Sequence, residues 1–324
     1  MAELKLLYLS KQDVEKIDLP MAEIIDALEV MFKEKGEGRV EMPPKPGIHP
    51  AQDAFIHAMP AFLPAFEAAG MKWVAGFPEN KKKGLPYISG LIVLNDVYTG
   101  LPLSVMDCTW ITAKRTGAAT AVAAKYLARK DSSVVGMVAC GLQGRSNLEA
   151  LAHVFDIEHV KAFDINPDYS LAYADEMGEN LNLNIEVTKD VKTTVEGSDI
   201  VVTSGPILKD PNPEIEAGWL SEGGFACPID FDSFWTGEAL QSVDKLATDD
   251  LAQIEYYREV GYFQNTPHPY ADLGQIAAGL KPGRESDSER TISLNLGLAL
   301  EDMAVSRLIY LKAVEMGIGT QLAL

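Results

Sequence analysis

Basic residues are scarce in this 324-residue chain: 28 Lys and Arg stand against 47 Asp and Glu, a formal charge of −19. A surface of that sign repels phosphate backbones and anionic lipid, so neither nucleic acid nor a membrane is an expected partner. The acidic surplus is spread along the chain and reads as a solvated surface. Cysteine is scarcer still. Cys108, Cys140 and Cys227 lie far apart and form no CxxC or His/Cys cluster, so no zinc or iron–sulfur centre is expected. They read as buried free thiols in a reducing compartment. No apolar run nears the roughly 20 residues of a membrane span. The N-terminal segment lacks an apolar stretch of signal-peptide length and soon becomes charged. The cytoplasm is therefore the expected location. Internal repeats and low-complexity segments are also missing.

What is present is the balance of a globular protein, 47% hydrophobic and 23% charged, in a chain long enough for two domains. Residues 4–9 alternate as a short strand, and residues 20–35 carry apolar positions at helical spacing with Pro20 in the first turn. Residues 41–107 are strand-rich and punctuated by Pro and Gly, and Tyr98-Thr99-Gly100 predicts a hairpin between the last two strands. The Ala-rich residues 110–129 predict a long helix. From residue 132 the texture changes. The nearly continuous apolar run 133–139 suits a parallel strand covered on both faces. Helices near 147–155 and 167–177 alternate with strands at 159–164, 185–187 and 199–204. That alternation predicts an α/β fold, a Rossmann-type doubly wound parallel sheet, over residues 119–295. Residues 1–118, completed by a last long helix within 296–324, form a separate, strand-rich α+β domain. The active site is expected between the two.

After the first apolar strand comes Ala139-Cys140-Gly141-Leu142-Gln143-Gly144. In the GxGxxG fingerprint the first Gly allows the tight turn and the second the approach of a pyrophosphate. Ala139 takes the first position, while Gly141 and Gly144 keep the others. Backbone N–H groups of Gly141, Leu142, Gln143 and Gly144 would cradle the pyrophosphate at a helix start. Asp164 ends the second strand, about 20 residues on, where a carboxylate accepts from the adenosine ribose hydroxyls. It repels a 2′-phosphate, and residues 165–168 contain no Lys or Arg, which favours NAD over NADP. The alternative is that Asp164 caps the helix opening at Pro167. Thr203 and Ser204, at the end of a later strand, are cofactor contacts by position.

Taken together, MPPK (42–45), AMPA (58–61), MKWV (71–74), KGLP (83–86), TAKRTGA (112–118), AAKYLA (123–128), AGLKPGR (278–284) and GLALED (297–302) resemble the ornithine cyclodeaminase/mu-crystallin family in order and spacing. That family includes ornithine and lysine cyclodeaminases, an archaeal type of alanine dehydrogenase and imine reductases. The resemblance implies a substrate domain of antiparallel strands that also makes a homodimer. It implies that Lys45, Lys72 and Arg115 bind the substrate carboxylate, with Arg115 alternatively on the cofactor phosphates. A guanidinium offers paired donors to an anion, and a lysine within an apolar strand needs a partner. Asp232 is implied as the acid that exchanges a proton with the substrate nitrogen, acting with Lys72, and Asp230 is a nearby rival. Asn295 is a cofactor contact through the resemblance alone.

Several family positions differ. Phe234-Trp235-Thr236 replaces Pro-Gly-Lys, Leu294-Asn295-Leu296-Gly297 replaces the Asp-Ser-containing segment, and Tyr87 stands for Thr. His57 stands where cyclodeaminases carry Glu and alanine dehydrogenases Arg, and is a candidate substrate contact. A cyclodeaminase needs a polar group for the distal amine, and this chain lacks that Glu. Simple hydride transfer at the nitrogen-bearing carbon of a small amino or imino acid is therefore the expected reaction. A cyclodeaminase using NAD catalytically and releasing ammonia is the alternative, and a non-enzymatic binding protein is a third reading.

Overall fold

The computed structural model describes residues 4–324. It divides into two compact units, one running up to Arg115 and resuming at Leu298–Leu324, the other Thr116–Gly297. The first opens with β1 (Lys5–Leu9), α1 (Lys11–Ile17) and α2 (Met21–Gly36). Ser10 and Asp13 form a capping box on α1, and α2 buries Ile24, Leu28, Met31 and Phe32 along one stripe. Then come β2 (Gly47–Ile48), β3 (Phe55–Leu63), β4 (Ala68–Gly76), β5 (Ile88–Asn95) and β6 (Pro102–Asp107). β2 to β6 form an antiparallel run. The β5–β6 turn has Gly100 at φ +74°, a left-handed conformation that glycine adopts without steric cost. Helix α3 (Thr109–Leu127) follows.

The second unit alternates strand and helix: β7 (Val134–Val138), α4 (Leu142–Ala152), β8 (His159–Phe163), α5 (Pro167–Leu181), β9 (Asn184–Val187), α6 (Val191–Val195) and β10 (Ile200–Thr203). It continues with β11 (Phe225–Pro228), α7 (Gly237–Gln241), β12 (Lys245–Thr248), α8 (Leu251–Glu259), β13 (Ala271–Asp272), α9 (Leu273–Ala277) and β14 (Thr291–Leu294). The eight strands lie in the order β13-β12-β14-β11-β10-β7-β8-β9, and every pair is parallel. The chain winds outward from β7 in one direction through β8 and β9, then in the other from β10. The sheet is thus doubly wound, with its switch point at β7/β10. β7, β10 and β11 are buried almost throughout, as strands covered on both faces must be.

Helix α4 starts five residues before the helix expected near 147. Gly144 reads as part of a loop in sequence, yet it lies inside the first turn because the helix begins directly after the Gly141 cap.

The chain returns to the first unit as α10 (Ala299–Met316) and β15 (Thr320–Ala323), which pairs with β1. Helix α10 packs on β3, β4, β5 and α2. Its first two turns bury Glu301 and Asp302 beside Leu300, Met303, Ala304 and Val305. Among the described residues no helix is long and apolar enough to cross a membrane.

Candidate active site

In the second unit every candidate lies at the carboxyl edge of the parallel sheet, where open α/β sheets bind ligands. The turn after β7 carries three distinct backbone demands. Ala139 sits at φ +73°, the conformation for which the fingerprint uses its first glycine, at a cost of about 1–2 kcal/mol for a residue with a Cβ. A Cβ on Gly141 would meet no protein atom within 4 Å, so the backbone is open there. A Cβ on Gly144 would stand 2.7 Å from the Ala139 carbonyl oxygen, so helix and strand approach too closely for any side chain. Gly141 caps α4 without a side-chain hydrogen bond, which leaves the first-turn N–H groups of Leu142 and Gln143 directed at whatever anion the turn receives. These features fit a dinucleotide pyrophosphate.

Asp164 is half-buried just beyond β8. One carboxylate oxygen accepts from the Cys140 N–H at 2.8 Å and the other from the Asn166 N–H at 2.9 Å. It therefore ties the second strand to the glycine turn. The cap of α5 is Asn166, which accepts from the Asp168 N–H, so the reading of Asp164 as that cap does not hold. Ser204 donates to the Ala139 carbonyl at 2.9 Å and steadies the same turn. Thr203 differs from expectation. It is fully buried, and its hydroxyl donates to Asp230 at 2.7 Å while accepting from the Trp235 indole. Its side chain supports Asp230 and offers no open contact.

Past β11 the two carboxylates separate in role. Asp230 is wholly buried, held by Thr203 and by the Gly205 N–H at 2.8 Å. Burial pushes its pKa up to about 7. Phe231 follows at φ +65°, a strained position for a residue with a Cβ. Asp232 reaches the surface at 9% exposure, and Thr266 donates to one of its oxygens at 2.8 Å. Burial raises its pKa as well, as befits a group that exchanges a proton. Asn295, just past β14, is 5% exposed. Ser293 donates to its carbonyl oxygen at 2.8 Å, and its amide nitrogen is buried without a protein partner. That buried donor is open to an acceptor such as an ordered water or a bound ligand.

In the first unit Lys45, His57, Lys72 and Arg115 form one electrostatic group. Lys72 points from β4 toward the face covered by α10 and is 1% exposed. Its Nζ lies 2.6 Å from an oxygen of Asp302 and 3.5 Å from the Thr112 hydroxyl. Arg115 pairs through Nη1 with Glu301 at 2.6 Å, and its Nε stands 3.3 Å from the other Asp302 oxygen. Burial, then Arg115, lowers the Lys72 pKa, against the pull of Asp302. Burial also raises that of Glu301. His57 stacks on Phe55 at 4.3 Å and lies over Gly47, where a Cβ would be 2.3 Å from its ring. Burial and the neighbouring basic side chains of Lys45, His49 and Lys72 push its pKa down to about 3. The imidazole is therefore neutral at ordinary pH. Three basic side chains set against two buried carboxylates leave one positive charge in excess beside a neutral ring, which can hold a small carboxylate.

Sequence reasoning missed Glu301, Asp302, Thr112 and Thr266. The signal for the first two was an adjacent acidic pair inside an otherwise apolar helix start, which burial makes costly unless it is partnered.

A family model described as the ornithine cyclodeaminase/mu-crystallin family matches residues 5–317. An alanine dehydrogenase from Archaeoglobus fulgidus is 37% identical over 333 residues, covering 98% of each chain. The structure of Thermococcus litoralis Δ1-pyrroline-2-carboxylate reductase in complex with NADH and L-proline is 36% identical, covers 97% of this chain and 99% of the other, and superposes with a TM-score of 0.87. An archaeal alanine dehydrogenase dimer with bound NAD is 35% identical over 98% of this chain and 99% of the other, with a TM-score of 0.88.

Proposed function

Because the chain belongs to the ornithine cyclodeaminase/mu-crystallin family, we propose that it is an NAD-dependent oxidoreductase acting at the nitrogen-bearing carbon of a small amino or imino acid, as an amino acid dehydrogenase or imine reductase. The observation that carries this reading is the set of buried basic residues Lys45, Lys72 and Arg115, with a neutral His57 beside Lys45 and Lys72. Such a group suits one carboxylate and an uncharged side chain. The relatives named above, an alanine dehydrogenase and a pyrroline-2-carboxylate reductase, act on substrates of that size.

When bound, NAD supplies the acceptor or donor of the hydride. Gly141, Leu142, Gln143 and Gly144 would hold its pyrophosphate, Asp164 its adenosine ribose and Asn295 a polar group at the sheet edge. Ser204 holds the turn in shape. Lys45, Lys72 and Arg115 bind and orient the substrate carboxylate, and His57 lines its side-chain end. Asp232 takes the proton from the amine nitrogen in oxidation and returns it in reduction. Its raised pKa keeps a proton available closer to neutrality than an exposed aspartate could. We place the enzyme in the cytoplasm, in keeping with three buried cysteines that form no disulfide. We also propose a homodimer, by likeness to the archaeal alanine dehydrogenase dimer.

The test is absorbance at the NADH band. Protein with NAD is challenged with L-alanine and L-proline, and with NADH against pyruvate plus ammonia or Δ1-pyrroline-2-carboxylate. Stoichiometric NADH change with one partner is expected. Ammonia release from ornithine or lysine without net NADH would overturn the reading in favour of a cyclodeaminase.

A further inference from the structure

Two cations this deeply buried and this close together should not both stay charged unaided. Lys72 is 1% exposed and Arg115 6% exposed, and each disfavours the charge of the other. We propose that Asp302, supported by Glu301, is a positioning residue of the carboxylate site: it bridges Lys72 and Arg115, keeps the lysine an ammonium and fixes both cations for one shared anion. This inference rests on the functional reading above.

The geometry places one Asp302 oxygen 2.6 Å from Lys72 Nζ and the other 3.3 Å from Arg115 Nε. Glu301 accepts from Arg115 Nη1 at 2.6 Å, so consecutive residues of α10 both form ion pairs with the guanidinium. The two acids and two bases cancel in charge. Lys45 adds a further positive charge beside His57. The groups facing Lys72 are Asp302 from α10, Arg115 from α3, Cys108 just before α3 and His57 from β3. Cys108 is held as a thiol, its pKa pushed up to about 11 by burial, and His57 is neutral. Asp302 is thus the group that opposes both burial and Arg115. Without it, dehydration and the guanidinium act together to strip the Lys72 proton.

The experiment compares pH profiles of kcat/KM for wild type, Asp302→Asn, Asp302→Glu and Lys72→Arg/Asp302→Asn, with NADH absorbance as readout and circular dichroism as the folding control. Asp302→Asn is expected to gain an alkaline limb at lower pH than wild type, losing about tenfold per pH unit above the lowered Lys72 pKa. Asp302→Glu should restore the limb toward its wild-type position. Lys72→Arg in the Asn background should remove it, because a guanidinium stays charged throughout. A residue that served only the fold would lower activity by the same factor at every pH, and that result would overturn the proposal. Should Asp302→Asn fail to fold, lysine-selective 15N NMR of wild type decides the matter. A Lys72 resonance at the ammonium position up to pH 9 supports the proposal, and one that titrates below pH 8 overturns it. If wild type itself changes no NADH with any amino or imino acid, the functional reading fails, while 15N NMR of Lys72 in wild type and in Asp302→Asn still judges the role of Asp302.

Discussion

Asp232 is the residue proposed above to exchange a proton with the substrate nitrogen. Burial raises its pKa, so its acid form persists to higher pH than that of an exposed aspartate. In that proposed role the protonated carboxyl serves the reductive direction, and activity should fall as pH climbs through the raised pKa. In the oxidative direction the carboxylate is needed, and activity should rise over the same interval. Asp232→Asn should abolish both limbs and lower kcat by roughly 10²–10⁴-fold. NADH affinity by fluorescence titration should stay close to wild type, and a parallel loss of cofactor binding would remove Asp232 from the proton role. Ala139 makes a smaller but cleaner case. Its φ of +73° costs about 1–2 kcal/mol that glycine would not incur, against up to about 1 kcal/mol of added freedom in the unfolded chain. Ala139→Gly should therefore raise the urea midpoint by the equivalent of up to about 1 kcal/mol. A lowered midpoint would mean that the local strain has been misjudged.

At the scale of elements, the β7–α4 junction shows what a sequence can and cannot disclose. The apolar strand, the two remaining glycines and the carboxylate ending β8 were all legible, because each is a local pattern with a local cause. The helix start was not. A glycine inside a first turn looks like a loop until the 2.7 Å approach to the Ala139 carbonyl shows why nothing larger fits. Gly144→Val should push α4 off β7 and disturb the Leu142 and Gln143 N–H groups with it. NAD affinity is expected to drop at least tenfold, with a lowered melting temperature. Unchanged affinity would separate the turn from cofactor binding. The buried pairs of α10 were illegible for a different reason. Glu301 and Asp302 meet Arg115 and Lys72 across most of the chain length, and no periodicity in a helix announces a partner on a distant strand. The resemblance drew attention to GLALED as a marker, but only the ion-pair distances give its acids a task.

For the whole molecule, the governing quantity is the charge of −19. Self-repulsion of that size favours the expanded chain and is screened within about 10 Å at 0.1 M salt. Working against it are exposed ion pairs such as Arg39 with Glu34 at 2.6 Å and Lys312 with Glu23 at 2.9 Å. Salt weakens these too, but each contributes only about 0–1 kcal/mol. The buried ladder of Lys72, Asp302, Arg115 and Glu301 lies beyond the reach of counterions. Repulsion should therefore win, and the apparent melting temperature should rise as sodium chloride goes from 10 to 300 mM. With domains of this size, a gain of about 1 kcal/mol corresponds to roughly 2–4 °C. Lowering the pH from 8 to 6 at low salt should act in the same sense at Asp230. Its folded pKa, pushed up to about 7, lies above the unfolded value, so its stabilising contribution grows as the pH falls through 7. Asp230→Asn, neutral at both pH values, should lose that part of the response while keeping the salt effect. A variant that responds to pH as wild type does would trace the effect to the surface charge alone.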